Sequence, residues 1–301
     1  MSFLEVRSVG KSAGPDKGEV VFSGVTPHPP ILIPDIGREE LEKCSKSRRG
    51  LQILSRKLEE AHPEILVLIT PHGPVFQDAL SVYTSQRYSG NFGEFGASSL
   101  KLTVKGYPSL GSRILQEGKS KGIPLIELNE MTFKKWGVSP YLDHAAMVPL
   151  YYFQEAGLNV PLVLISIGFL PYQTLFEFGV CVRKAIEEEG KRVAVIASGD
   201  LSHRLIPTAP YGYEPLGKEF DQKMMDMLAV HDSEGILKLD KDFIEKIGEC
   251  GYRPILIMLG ATQGLALQRE VISYEGPFGV GYGVVTYQTI KKEMEAHYGQ
   301  A

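Results

Sequence analysis

Ile65-Leu66-Val67-Leu68-Ile69-Thr70-Pro71-His72-Gly73-Pro74 is an unbroken apolar run that ends in Thr-Pro-His. Such a run suits a strand buried on both faces, as in a parallel sheet covered by helices. Proline has no amide hydrogen for a sheet ladder and disfavours helix in the residue before it, so the strand should stop at the Thr-Pro step. His72 then lies just past a carboxyl-terminal strand end, where open α/β sheets build their sites. Val20-Val21-Phe22-Ser23-Gly24-Val25 leads in the same way into Thr26-Pro27-His28-Pro29-Pro30 and puts His28 in the equivalent position. Two imidazoles delivered like this can converge on one metal ion.

Outward from these runs, strand and helix patterns alternate. Helices are expected over 39–61, 110–121, 143–156, 175–189, 217–231 and 241–265, and further strands over 79–84, 101–104, 123–128, 161–168, 192–197, 270–274 and 284–290. The glycine- and aromatic-rich stretch 88–96 reads as a mobile loop. Alternation without a clear linker predicts an α/β fold, a single three-layer αβα domain around a mixed, largely parallel sheet. It is expected to occupy 19–301, after a flexible leader over 1–18 that is rich in Gly, Ser, Lys and Asp.

Hydrophobic content of 43% and charged content of 23% in 301 residues describe an ordinary globular chain with enough apolar surface for a large core. A net charge of -4 argues against nucleic acid as a partner, and the cluster Lys46, Arg48, Arg49 follows Glu39, Glu40 and Glu42 as one solvated helix face. Cys44, Cys181 and Cys250 show no CxxC spacing, which predicts free thiols and a cytoplasmic location. No signal peptide and no membrane-spanning segment are expected. A homo-oligomer, most simply a dimer, is the default for such a protein.

Of seven histidines, His28, His72 and His203 each follow a strand and sit among Gly, Pro or Ser. His203 closes Ser198-Gly199-Asp200-Leu201-Ser202-His203, in which Asp200 could cap a turn or orient the ring. His144 opens a helix beside Asp143, whose carboxylate could cap that helix and accept from the ring. His62, His231 and His297 fall at helix ends or near the carboxyl terminus, where surface or capping roles suffice. Two neutral imidazoles on a divalent metal usually gain a third ligand, often a carboxylate. Glu249 stands out because glycines bracket Gly248-Glu249-Cys250-Gly251, and Cys250 is a second candidate since thiolate binds borderline metals well. The glycine run 276–283 is followed by no convincing helix and does not match a dinucleotide fingerprint, and serine-hydrolase and P-loop motifs are absent.

Taken together, Thr-Pro-His-Pro-Pro, Pro-His-Gly-Pro, Asp-His-x-x-x-Val-Pro-Leu, Ser-Gly-Asp-Leu-Ser-His and Gly-Glu-Cys-Gly-Tyr-Arg-Pro resemble the superfamily built on the B-type subunits of class III extradiol ring-cleavage dioxygenases, and within it the Memo-like branch. The resemblance implies a non-haem Fe(II) centre held by His28, His72 and Glu249, with His203 as acid/base residue and His144 near the substrate. It implies a small catechol-type aromatic and dioxygen as reactants. Ring-cleaving members supply a glutamate as third ligand, whereas Memo-like proteins carry cysteine near that place, so the register of Glu249 against Cys250 decides between iron dioxygenase chemistry and something else; Glu249 is the expected ligand. The competing readings are a zinc-dependent hydrolase on the same ligands and a non-catalytic metal- or peptide-binding protein that keeps the pocket.

Overall fold

The computed structural model describes residues 17–290; most of the expected leader, the end of the expected domain and His297 lie outside the described residues. Its strands are β1 (Glu19–Thr26), β2 (Ile65–Thr70), β3 (Leu80–Tyr83), β4 (Arg87–Phe92), β5 (Ala97–Lys105), β6 (Leu125–Leu128), β7 (Leu162–Ser166), β8 (Arg192–Ser198), β9 (Leu267–Glu275) and β10 (Tyr282–Thr289). Its α-helices are α1 (Pro34–Gly37), α2 (Ser45–Glu60), α3 (Pro108–Ser120), α4 (Thr132–Trp136), α5 (His144–Glu155), α6 (Tyr172–Glu189), α7 (Leu216–Val230), α8 (Ser233–Leu237), α9 (Lys241–Ile247) and α10 (Tyr252–Thr262).

Eight strands form one sheet in the order β6-β3-β7-β2-β8-β1-β10-β9. The central neighbours β7, β2, β8 and β1 run parallel, whereas β3 on β7, β10 on β1 and β9 on β10 are antiparallel. Side chains alternate across a strand, so the apolar run of β2 supplies both faces: Ile65, Val67 and Ile69 enter one core, Leu66 and Leu68 the other. The first core is closed by α3, α6, α7 and α10, the second by α2, α5 and the β4–β5 hairpin. This is the expected three-layer αβα arrangement around a mixed sheet. In β1 the register against β8 shifts between Val20 and Phe22, which lets Val21 and Phe22 both face the second core.

Three local expectations are corrected. The stretch read as a mobile loop is β4 and the turn into β5, an antiparallel hairpin. Tyr88, Gly90 and Phe92 are its inward residues, and a Cβ on Gly90 would lie 2.5 Å from Met147 Sδ. The glycine that looked like loop composition is thus there for close approach to α5. The helix expected over 241–265 is two helices, because Gly248 turns to φ +64° and closes α9 before α10 starts at Tyr252. The helix expected from residue 39 begins at Ser45, after 3-10 turns over Arg38–Cys44.

Candidate functional site

Because β2, β8 and β1 are adjacent and parallel, their carboxyl-terminal ends emerge side by side on one edge of the sheet, about 4.8 Å apart. His28 follows β1, His72 follows β2, and Asp200 and His203 follow β8. The ring centroids of His28 and His72 are 5.0 Å apart and perpendicular. His144 arrives from a different direction, as the first residue of α5. Asp143 caps that helix by accepting from Ala146 N at 3.0 Å, and the same oxygen accepts from Thr70 Oγ1 at 2.7 Å. This bond ties the start of α5 to the end of β2 and lays His144 on His72, with centroids 4.7 Å apart. Asp143 makes no hydrogen bond to either ring; its Oδ2 is buried without a partner.

The segment between α9 and α10 supplies the remaining group, and Cys250 rather than Glu249 faces the histidines. The donor atoms of His28, His72 and Cys250 all lie within 4.8 Å of one another, as do those of Asp200, His203 and Cys250. Cys250 Sγ is 3.6 Å from His28 Nε2 and 3.6 Å from His203 Nε2. Glu249 is turned the other way: its carboxylate accepts from Tyr252 N at the start of α10 and lies 3.8 Å from Arg253. An acceptor at that helix start satisfies an otherwise unpaired amide. The loop can approach this closely because Gly199 and Gly251 face each other; a Cβ on Gly199 would lie 2.2 Å from Gly251 Cα. Asp200 O accepts from Gly251 N at 2.9 Å and from Cys250 N at 3.3 Å, which holds the turn in register.

The network sets the tautomer of His28. Ser198 Oγ donates to Ala145 O at 2.6 Å, and a hydroxyl has one proton, so it accepts from His28 Nδ1 at 3.0 Å. The lone pair of Nε2 is thereby left facing Cys250. Asp200 neither caps a following turn nor holds His203: its Oδ1 accepts from His28 N at 3.0 Å, and its Oδ2 lies 3.8 Å from His28 Nε2. Burial pushes the Asp200 carboxyl up to about 7. Burial, with help from the neighbouring rings, holds His28 well below the usual histidine range and lowers His203 to about 4. Burial alone lowers His144, whereas His72 is lowered by burial and then by His144. The cluster is therefore a set of neutral imidazoles with available lone pairs, the form that binds metal. Burial also pushes the Cys250 thiol far up, while Asp200 N donates to its sulfur at 3.3 Å.

His72 and His144 line a cleft of about 660 Å³, walled by the hairpin tip (Asn91, Glu94, Phe95) and by Tyr141. Phe95 meets the His144 ring edge-on at 5.5 Å. On the far side, Tyr211 stacks parallel on His203 with centroids 5.6 Å apart. The sequence reading assigned no role to Ser198, Phe95 or Tyr211. Ser198 could have been suspected from its place at the end of a buried strand; nothing local marks the other two. His231, assigned to a helix end, does close α7 with φ +56°, and its ring bonds Thr262 Oγ1 at 2.8 Å. No described helix is long and apolar enough to cross a membrane.

Residues 24–285 match the family described as the catalytic LigB subunit of aromatic ring-opening dioxygenase. Protein CA_C1420 of Clostridium acetobutylicum is 36% identical over 267 residues, 89% of this chain but 57% of that protein, so this chain spans little more than half of that relative. The beta subunit of a 2-aminophenol 1,6-dioxygenase from Pseudomonas sp is 24% identical, with 94% of this chain and 99% of that subunit covered. A MEMO1 family protein of Methanococcus vannielii is 27% identical over 78% of this chain and 85% of its own length. Among solved structures, an uncharacterized protein of Escherichia coli K12 superposes with a TM-score of 0.58 at 19% identity, covering 88% of this chain and 99% of that one, which bears on the fold alone.

Proposed function

The chain belongs to the LigB family, with Memo-like relatives, and we propose that it is a metal-dependent enzyme in which His28, His72 and Cys250 hold one Fe(II) beside a cleft for a small aromatic diol. One observation carries the reading: three donor atoms from three separate loops, brought within 4.8 Å of one another at the carboxyl edge of a parallel sheet. Two neutral imidazole nitrogens and a thiol suit a borderline divalent ion; the set departs from the two histidines and one carboxylate of non-haem iron oxygenases, so metal analysis decides between iron and zinc. The Glu249 ligand expected from sequence is replaced by Cys250 in this proposal, because the Glu249 carboxylate is engaged at the start of α10.

A bound Fe(II) would supply Lewis acidity and a common point at which a chelating diol and dioxygen meet. The chain's own residues do the rest. Ser198 holds the His28 ring with Nε2 inward, and Asp200 N, donating to Cys250 Sγ, favours the thiolate that the ion requires. His203 is neutral at pH 7 and places Nε2 3.6 Å from the sulfur, where it can take a proton from a substrate hydroxyl and later return it. His144, stacked on His72 and edged by Phe95, forms a flat wall against which an aromatic ring can lie.

Metal analysis after anaerobic purification, followed by oxygen-uptake measurements with neutral and charged catechols, tests this reading. Iron at one ion per chain and diol-dependent oxygen uptake are expected. His203→Ala should keep the iron and lose roughly 10²–10⁴-fold in turnover. Zinc in place of iron would move the reading to hydrolysis, and a full complement of iron without oxygen uptake would move it to a binding role.

A further inference from the structure

The cleft beside His72 carries charge of one sign only. Among the described residues that line it, Glu94 and Asp143 are acidic and none is lysine or arginine. Asp143 spends one oxygen on Thr70 and Ala146, deep at the helix start. Glu94 is different. It sits at the hairpin tip, in the 3-10 turn Gly93–Phe95 between β4 and β5, exposed and with no ion pair or hydrogen bond among the described residues. Arg204 and Arg253, which contact the loops around His203 and Cys250, do not line the cleft. Arg204 donates to Tyr211 O at 2.9 Å and Lys246 O at 2.8 Å, and Arg253 lies over the Phe169 ring at 4.7 Å beside Glu249.

We propose that Glu94 sets the charge of the substrate: the cleft takes aromatic molecules that are neutral or bear an amine on the ring's outer substituent, and turns away those that bear a carboxylate. A ring lying against His144 and Phe95 with its hydroxyls toward His72 directs its opposite substituent out past the hairpin tip. An ammonium there meets the Glu94 carboxylate; the Asn91 side-chain oxygen already accepts from Gly93 N at 2.8 Å. A carboxylate meets like charge, and no donor of positive charge lines the wall to satisfy it. The aromatic diol comes from the function proposed above; the sign of the selected charge comes from the lining alone. Glu94 is a specificity-determining residue in this scheme, with no part in holding metal.

Binding rather than turnover tests it. Calorimetric titrations of the full chain, loaded with Fe(II) and kept anaerobic, would compare 3,4-dihydroxybenzylamine, catechol and 3,4-dihydroxybenzoate, and separately benzylamine and benzoate. One charge about 4 Å from another in a water-like medium changes affinity roughly fivefold. The amine should therefore bind about fivefold tighter than catechol and the carboxylate about fivefold weaker. Glu94→Gln should bring the series together, and Glu94→Lys should reverse the order in both the dihydroxy pair and the pair without hydroxyls. A carboxylate bound as tightly as the amine by the native chain overturns the proposal, and so does an order that Glu94→Lys leaves unchanged, or no binding of any probe. If Glu94→Lys shifts both pairs but the hydroxyls add nothing to affinity, the charge selection stands and the diol function falls.

Discussion

Glu249 and Cys250 are chain neighbours, and exchanging their roles should be visible in metal affinity. Losing an outer partner of a metal ligand usually costs 10–100-fold in affinity. Cys250 is proposed as a direct donor, so Cys250→Ala should weaken metal binding by at least about 100-fold, close to 2.8 kcal/mol. Glu249→Gln should do almost nothing by comparison. The glutamine carbonyl can still accept from Tyr252 N, the bond that anchors the start of α10. The charge that is lost is modest, because burial raises the Glu249 carboxyl to about 7, so that near neutrality it is ionised only in part. Its Arg253 contact is long, at 3.8 Å, and that guanidinium keeps its place over the Phe169 ring. With the hydrogen bond to Tyr252 N kept, a change within about threefold in metal affinity and about 1 kcal/mol in stability is expected for Glu249→Gln. The assay is competition against a chelator of known affinity, with metal content counted after gel filtration and thermal unfolding recorded for both variants. Metal retained by Cys250→Ala and lost from a folded Glu249→Gln would refute the argument and restore the carboxylate ligand.

Three further outcomes are expected. Ser198→Ala removes the acceptor that keeps the proton on His28 Nδ1, and metal affinity should drop roughly 10–100-fold in the same competition assay while the fold persists. Gly199→Ala forces a methyl against Gly251 Cα at 2.2 Å; it should cost about 1–3 kcal/mol in chemical denaturation and weaken metal binding by moving Cys250 away from the strand ends. Asp221, buried beneath β10 and accepting from Ser202 N at 2.8 Å and Tyr274 Oη at 2.7 Å, has its carboxyl raised by burial to about 7. A carboxyl that holds its proton longer folded than unfolded makes stability fall as pH rises, here from about 4, near the unfolded value, to about 7, where the loss levels off. Asp200 and Glu249, also raised to about 7, contribute in the same window, so Asp221→Asn should reduce the slope of denaturation midpoints by one group's share; an unchanged slope would assign it wholly to those groups.

Much of this architecture is legible one residue at a time. An apolar run such as 65–69 must bury both faces, and a Thr-Pro-His step must end a strand, so two histidines at strand ends follow from local chemistry. Short-range pattern was less informative where packing overrides composition. Gly90 looks like loop material, yet it is the residue that lets β4 press against Met147. The helical periodicity of 241–265 runs straight through the break at Gly248, because apolar spacing does not register one glycine turned to positive φ.

Local chemistry along the chain is therefore enough for the three-layer α/β class, for the strand ends that present His28, His72 and His203, and for the four-residue window that completes the cluster. Which side chain in that window faces the histidines is a matter of packing. Adjacent residues in a turn point in different directions, and the choice between them rests on contacts with distant parts of the chain: the two glycines at 199 and 251 in contact, the Asp200 carbonyl holding the amides of Cys250 and Gly251, and the start of α10 claiming the Glu249 carboxylate. The contacts between the 199–200 and 250–251 segments couple residues some fifty positions apart, beyond the reach of any local pattern.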